Sequence, residues 1–320
     1  MKQKILVLGG SYFIGRAITR ELLKNYTVYT LNRGTKPNFH KKIITLKCDR
    51  HNQHEMKIVL DKHEFDCVVD VSGVTKEESE ILISALNTNK VKAYVFISSS
   101  AVYDVDNLTA PFKETNALAT NSYWADYGTD KIASEEFLIN HFVNTDISLT
   151  ILRPPFVYGE NNYAQRESFI FDRLYNDLPV VIPNEGKTRL QFIYAGDLAK
   201  TVYFFLQNPM TGTNIFNVGS SESVSVLEWV NFCAAVVNKK AKIIPYDYKK
   251  ADRNIRDFFP FFDYDNVLDV SKLKTVFPHE TDFSVGLKAA YNWYLQNKNN
   301  IIFKENVTNS IDDILKDIKT

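Results

Sequence analysis

An α/β architecture is expected of this 320-residue chain: an open, doubly wound parallel sheet followed by a smaller, mixed α/β unit. Three features lead there. Short apolar runs alternate with helical patterns through the first half. A glycine-rich turn joins the first run to the first helix. The alternation breaks after Arg153-Pro154-Pro155.

Ile5–Leu8 is a continuous apolar run of the kind a doubly covered parallel strand presents. Ile14, Ile18 and Leu22 follow at spacings of four, which lines one face of a helix. Thr27–Leu31, rich in β-branched and aromatic residues, reads as the second strand and Ile43–Leu46 as the third. A polar helical stretch near 52–62 precedes a fourth strand at Asp66–Val71. Residues 76–88 are helical in pattern, Val91–Ile97 is a fifth strand, a helix covers 126–142, and Ser148–Leu152 is a sixth strand. Sheets of this type bind ligands beyond the carboxyl ends of their strands.

Past about residue 160, helical patterns near 166–177, 195–207, 225–237 and 284–296 alternate with short strands such as Asn214–Val218 and Lys242–Pro245. The expected division puts 1–160, with returning segments at about 188–220, in the first domain. About 161–187 and 221–296 form the second. Residues 297–320 are an appendix with a short helix containing Ile311, Ile314 and Ile318. No internal repeat is present.

Thirty-eight basic and 38 acidic residues cancel, which argues against a polybasic nucleic-acid binder, whose pI typically exceeds about 9. Cys48, Cys67 and Cys233 are few, odd in number and widely spaced, so a reducing compartment, the cytoplasm, is expected. The apolar run after Met1 is too short for a signal segment, and no run approaches the roughly 20 residues of a membrane span. Cys48, His51, His54, His63 and Cys67 crowd into twenty residues but lack a Cys-x-x-Cys half; a structural cysteine and surface histidines account for them, and no metal is expected.

The chemistry begins at Gly9-Gly10-Ser11-Tyr12-Phe13-Ile14-Gly15. A dinucleotide diphosphate needs a tight turn, close backbone approach and a helix N-terminus facing its charge. Gly9 supplies the turn and Gly15 the close helix–strand packing. At the end of the second strand, where a carboxylate would bond the ribose of NAD, stand Asn32 and Arg33. An arginine there accommodates a 2′-phosphate, so NADP is preferred over NAD. Downstream, Tyr127 and Lys131 lie four apart on one helix face, after the serine-rich strand end Ser98-Ser99-Ser100. A free tyrosine hydroxyl is a poor base at neutral pH, and a nearby ammonium favours the phenolate. A serine hydroxyl held close can orient a substrate oxygen.

In this order, the glycine loop, the serines and Tyr-x-x-x-Lys resemble the NAD(P)-dependent epimerase/dehydratase family, the extended short-chain dehydrogenase/reductases, over about residues 4–296. The resemblance implies a Rossmann-type domain, with Tyr12, Phe13 and Ile14 in the cofactor loop, although the family usually has glycine where Tyr12 stands. It implies that Asp49 contacts adenine and that Ser72, Gly73 and Pro155 line the cofactor. Ser99 is then the catalytic serine, Tyr127 the acid/base, and Lys131 the residue that tunes it and holds the nicotinamide ribose. Many members act on nucleotide sugars, so a small-molecule substrate with a diphosphate is expected, met by Arg189, Arg253 and Arg256. A solvated loop with local ion pairs accounts equally well for Asp252–Asp257. A homodimer is a family habit. Two alternatives stand beside the enzyme: an atypical RNA-binding member, like the chloroplast stem-loop binding proteins, and a non-catalytic NADP sensor.

Overall fold

The computed structural model describes residues 2–318. In its first half, strands and helices alternate: β1 (Lys4–Leu8), α1 (Phe13–Leu22), β2 (Thr27–Asn32), β3 (Ile44–Lys47), α2 (Gln53–Leu60), β4 (Cys67–Asp70), α3 (Lys76–Ala85), β5 (Ala93–Ile97), α4 (Ala125–Phe142) and β6 (Ser148–Arg153). The second half holds β7 (Phe156–Tyr158), α5 (Glu167–Tyr175), β8 (Val180–Pro183), β9 (Arg189–Tyr194), α6 (Ala195–Gln207), β10 (Thr213–Asn217), β11 (Ser223–Ser225), α7 (Val226–Val237), β12 (Ile243–Tyr246), α8 (Ser271–Val276), α9 (Phe283–Asn297) and α10 (Glu305–Asp317).

Seven strands form one sheet in the order β10-β6-β5-β4-β1-β2-β3, and every pairing in it is parallel. Its centre is β-branched: Val7 lies beside Val69, Val69 beside Val95, and Val95 beside Thr150. Helices cover both faces, which is why these strands read as unbroken apolar runs. On one face α1 and α6 bury Ile18, Leu22, Leu198 and Val202. On the other, α2, α3 and α4 bury Met56, Leu60, Leu82 and Leu138. Local chemistry sets the helix starts: Asn52 accepts from the Glu55 amide, and Thr75 with Glu78 forms a capping box before α3.

The segment expected to return to this sheet from about 188 does so only through α6 and β10. β9 instead builds a separate three-stranded sheet with β7 and β11, and β12 pairs with β8. These small sheets enclose their own core, centred on the Phe192 and Trp229 rings, stacked 3.9 Å apart. Ile311 and Ile314 of α10 are fully buried in that same core. Among the described residues, no helix is long and apolar enough to cross a membrane. All three cysteines are buried and unpaired. Cys67 sits inside β4, and His63 packs against Tyr29 and Phe65.

One ion pair lies wholly inside the fold. Arg153 at the end of β6 donates Nε to Glu135 Oε1 at 3.0 Å and Nη2 to Oε2 at 2.5 Å. The side chains are 2% and 1% exposed. Ser98 bonds the same carboxylate, and Arg153 Nη1 reaches Tyr103 Oη and the Glu114 carbonyl, both at 3.2 Å. Arg153→Met leaves Glu135 as an uncompensated buried charge and should cost about 3–5 kcal/mol in urea unfolding. Replacing both members by methionine should recover roughly half of that loss or more; an equal loss in the double variant would show that the pair's charges are not the cause.

Candidate active site

The carboxyl ends of β1, β2, β4, β5 and β6 open onto one cleft of about 1070 Å³. At its base the backbone crowds against itself. Gly9 has φ +83°, and a Cβ there would lie 2.7 Å from Ser72 Cβ. A Cβ on Gly15 would lie 1.9 Å from the Gly9 carbonyl oxygen, so α1 can approach β1 this closely only with glycine at that position. Tyr12 stands at the N-cap of α1 in extended backbone, φ −123°, which any residue adopts. Besides Gly9, the loop residue with positive φ is Phe13, φ +31°, whose ring is buried among the core side chains. Half-exposed, Tyr12 lines the cleft and meets Tyr163 edge-on at 6.2 Å, with the Lys36 ammonium 5.6 Å from its ring centroid. No side chain caps α1 and no acid occupies its first turn, so the first-turn amides retain their anion-binding capacity. Ile14 lines the same wall.

At one end of the cleft, Asn32 spends its amide on the loops: Nδ2 donates to Ser11 Oγ at 3.0 Å, and Oδ1 accepts from the Gly34 amide at 2.8 Å. The end of β2 therefore presents no carboxylate. Arg33 and Lys36 line the cleft beside it, and among the described residues neither makes an ion pair. Asp49 also faces this end, its carboxylate held below the usual range by the His51 backbone amide and imidazole.

At the other end, a single 3₁₀ turn, Ser100–Val102, follows β5. Gly128 lets α4 press on it: a Cβ there would lie 2.5 Å from the Ala101 carbonyl. Asn121 ties the two together, donating to the Ala101 carbonyl at 2.9 Å and accepting from the Trp124 amide at 2.9 Å. This brings Tyr127 beside Ser99, whose Oγ accepts from the Ala101 amide at 3.2 Å. Ser98 is engaged by Glu135, and Ser100 is buried. Tyr127 remains 39% exposed toward the cleft. Burial pushes its hydroxyl above the ordinary value, and Ser99 and the Arg166 guanidinium pull it back.

Lys131 was expected to lower the Tyr127 hydroxyl; instead its ammonium is spent on the floor. It donates to the Gly73 carbonyl at 2.5 Å and the Ile97 carbonyl at 2.7 Å. Burial lowers Lys131 to about 8, against the opposing pull of Asp70 and Glu135. Gly73 thus acts through its carbonyl, while Ser72 and Pro155 line the cleft.

The three arginines expected to meet a substrate diphosphate are placed differently. Arg189 pairs with Glu228 at 3.0 Å beside β11, and Arg253 pairs with Asp317 at 3.4 Å; neither lines the cleft. Arg256 rests on the Phe262 ring at 5.1 Å and bonds the Pro260 carbonyl. The arginine that does line the reactive end is Arg166, with its guanidinium 5.0 Å over Phe156. Arg256 is lowered to about 10 by burial and by Arg166. Phe156 and Phe262 both pack on Trp124, which itself packs on Tyr127. Sequence reasoning missed Arg166, Lys36 and Arg50. Arg50 had a signal, adjacency to Asp49; Arg166 sits in no recognisable motif.

The chain matches the model of the NAD dependent epimerase/dehydratase family over residues 5–219. It is 30% identical over 309 residues to the chloroplast stem-loop binding protein of 41 kDa b from Arabidopsis thaliana, covering 91% of this chain and 79% of that one. Its fold is similar to that of UDP-glucose 4-epimerase from Thermotoga maritima, solved with UDP-glucose, at a TM-score of 0.78 and 17% identity over 92% of this chain and 99% of that one. It is similar also to dTDP-glucose 4,6-dehydratase from Bacillus anthracis, solved with NAD, at a TM-score of 0.76 and 18% identity over 93% and 98%.

Two outcomes follow from the geometry. Gly15→Ala should unfold the loop's contact with Gly9 and abolish dinucleotide binding, read by nicotinamide fluorescence; unchanged affinity would mean the close approach is dispensable. Glu167, the first residue of α5, accepts from the Gly159 amide at 2.9 Å and from Asn162. Burial raises it from 4.5 to about 7. The folded state therefore binds its proton more tightly than the unfolded chain, and this stabilisation is full below about pH 4.5 and lost as pH rises through about 7. Thermal melts should show Glu167→Gln gaining on the unaltered protein between about pH 5.5 and pH 8.

Proposed function

The chain belongs to the NAD dependent epimerase/dehydratase family, and we propose that it is an NAD(P)-dependent enzyme of epimerase, dehydratase or reductase type. In this reading its substrate is a nucleotide sugar and its working residues are Ser99, Tyr127 and Lys131. One observation carries the proposal: the glycine loop and the Ser99–Tyr127–Lys131 group, more than eighty residues apart in sequence, line a single cleft. Its volume exceeds that of typical small-ligand pockets of about 300–1,000 Å³, in keeping with two ligands side by side.

The residues present fit a nicotinamide dinucleotide. The Gly9–Gly15 cradle has no room for a Cβ, and the uncapped start of α1 suits a diphosphate. Asn32, with its amide committed, and the unpaired Arg33 and Lys36 favour a 2′-phosphate, hence NADP. Asp49 would take the adenine. When bound, the nicotinamide supplies a hydride acceptor or donor at its ring carbon.

The chain's own residues then do the rest. Tyr127 is a neutral phenol in the free cleft, so it holds a proton at Oη that it can give to, or recover on return from, a substrate oxygen. Ser99 Oγ, beside that hydroxyl, orients the same oxygen. Lys131 has two of its three N–H groups tied to carbonyls and one left for the ribose hydroxyls. Arg166, with Arg256 behind it, would neutralise the substrate's diphosphate, and the rings of Trp124 and Phe156 exclude water. The 30% identical relative is a stem-loop binding protein, which supplies a second reading, RNA binding.

Titration of cofactor-free protein with NADPH and NADH should give the tighter complex with NADPH, and Arg33→Ala should erase the difference by about tenfold or more. Tyr127→Phe should lower turnover of a responsive UDP-, dTDP- or GDP-sugar by about 10²–10⁴-fold while leaving NADPH binding intact. Binding of neither dinucleotide, together with salt-sensitive binding of an RNA hairpin, would overturn the enzyme in favour of the second reading.

A further inference from the structure

Asp70 ends the central strand β4 and is 0% exposed. A carboxylate in that position must be matched or it takes up a proton. The match comes from Arg50, twenty residues earlier: Nη1 donates to Oδ1 and Nη2 to Oδ2, each at 3.0 Å, in the fork geometry that is strongest for this pair. The Gly73 amide gives a third bond to Oδ1 at 2.8 Å. Arg50 Nη1 also reaches Ser72 Oγ at 2.7 Å, so both residues of the turn after β4 are pinned by this one unit.

The turn so pinned is what receives Lys131. Its Nζ donates to the Gly73 carbonyl at 2.5 Å and sits 4.6 Å over the Phe96 ring. Four charged groups on four elements face the ammonium: Asp70 from β4, Glu135 from α4, Glu78 from α3 and Arg50 from the turn before α2. Glu135 is already neutralised by Arg153. Glu78 lies 3.6 Å from Arg50 and caps α3. Asp70 heads the groups that counter the cost of burying the ammonium.

We propose that Asp70, with Arg50 locked onto it, is a positioning residue for Lys131: it fixes the turn that receives the ammonium and holds Lys131 on the cleft floor as a cation. The inference rests on the reading above only in taking Lys131 as a working residue; the placement itself is a property of the free chain. A neutral Lys131 would keep its volume but lose one of the two hydrogens that bond the carbonyls or the one left for a ligand. Burial has brought Lys131 to about 8, so with Asp70 uncharged the lysine would shed its proton near neutral pH.

The test is a titration of the cofactor-free protein labelled at lysine Cε with carbon-13, following each lysine by NMR. Lys131→Arg identifies the Lys131 signal by its disappearance. The unaltered chain should give a Lys131 midpoint near 8, well below the ordinary lysine value. Asp70→Asn should lower that midpoint by about one pH unit or more, while the remaining lysine signals stay in place as the control for folding. Arg50→Lys, which keeps a cation against Asp70, should leave it within a few tenths. If Asp70→Asn alone does not fold, the double variant Asp70→Asn/Arg50→Gln removes both charges together and should also titrate below the unaltered chain, because Asp70 outweighs Arg50 at this site. An unmoved midpoint in a folded Asp70 variant overturns the proposal. This measurement uses no dinucleotide, so failure to bind NADPH would overturn the functional reading and leave this result standing.

Discussion

Two carboxylates buried beneath the cleft, Asp70 and Glu135, constrain everything built on that edge of the sheet. Neither could remain charged in so dry a place alone. Each is held by a forked arginine that comes from a different strand end, Arg50 after β3 and Arg153 at the close of β6. Lys131 stands between them and takes backbone carbonyls from the ends of β4 and β5. Strand ends that a parallel sheet merely brings to one side are in this way fastened to each other. Packing of the valine-rich centre gives the sheet its stability; this charged layer gives the cleft its shape.

The constraint also explains the division of labour along the cleft. The end near β2 is assembled from backbone: a glycine cradle, an uncapped helix and an asparagine used as a brace. The end near α4 is assembled from side chains, with Tyr127, Ser99 and Arg166 set against an aromatic wall of Trp124, Phe156 and Phe262. A phosphate chain is recognised well by amides in a fixed arc, whereas proton transfer needs a group that can change its charge.

The sequence made the first kind of feature legible and left the second partly hidden. Gly9, Gly15, Asn32 and Arg33 could be placed because each depends on its own few neighbours and on a strand before and a helix after. The central strands could be placed because burial on both faces leaves an unbroken apolar run. The orientation of Lys131 could not: four-residue spacing puts it on the face of Tyr127, but the carbonyls of Gly73 and Ile97, brought close only by the folded sheet, capture its ammonium. The partner of Arg50, beside Asp49 in sequence, lies twenty residues away at Asp70, and Arg166 rests on the Phe156 ring of another element, so neither role shows in the chain order. Arg189 and Arg253 were candidates because the resemblance implied a substrate diphosphate, but surface ion pairs claim them in the folded chain. β9 was misjudged because an apolar strand carries no mark of which sheet it will join.

The uncapped start of α1 has a practical bearing on how this protein behaves in solution. First-turn amides without a side-chain cap and with no acid in their own turn, beside Arg33 and Lys36 on the cleft wall, favour a small oxyanion. If the cleft takes a dinucleotide as proposed, phosphate or sulfate in a buffer would be a competitor as well as a salt. Such ions would then bind the folded chain in preference to the unfolded one, raising its melting temperature while weakening its apparent hold on the dinucleotide. Thermal stability and ligand affinity measured in different buffers would then move in opposite directions, with no change in the protein itself.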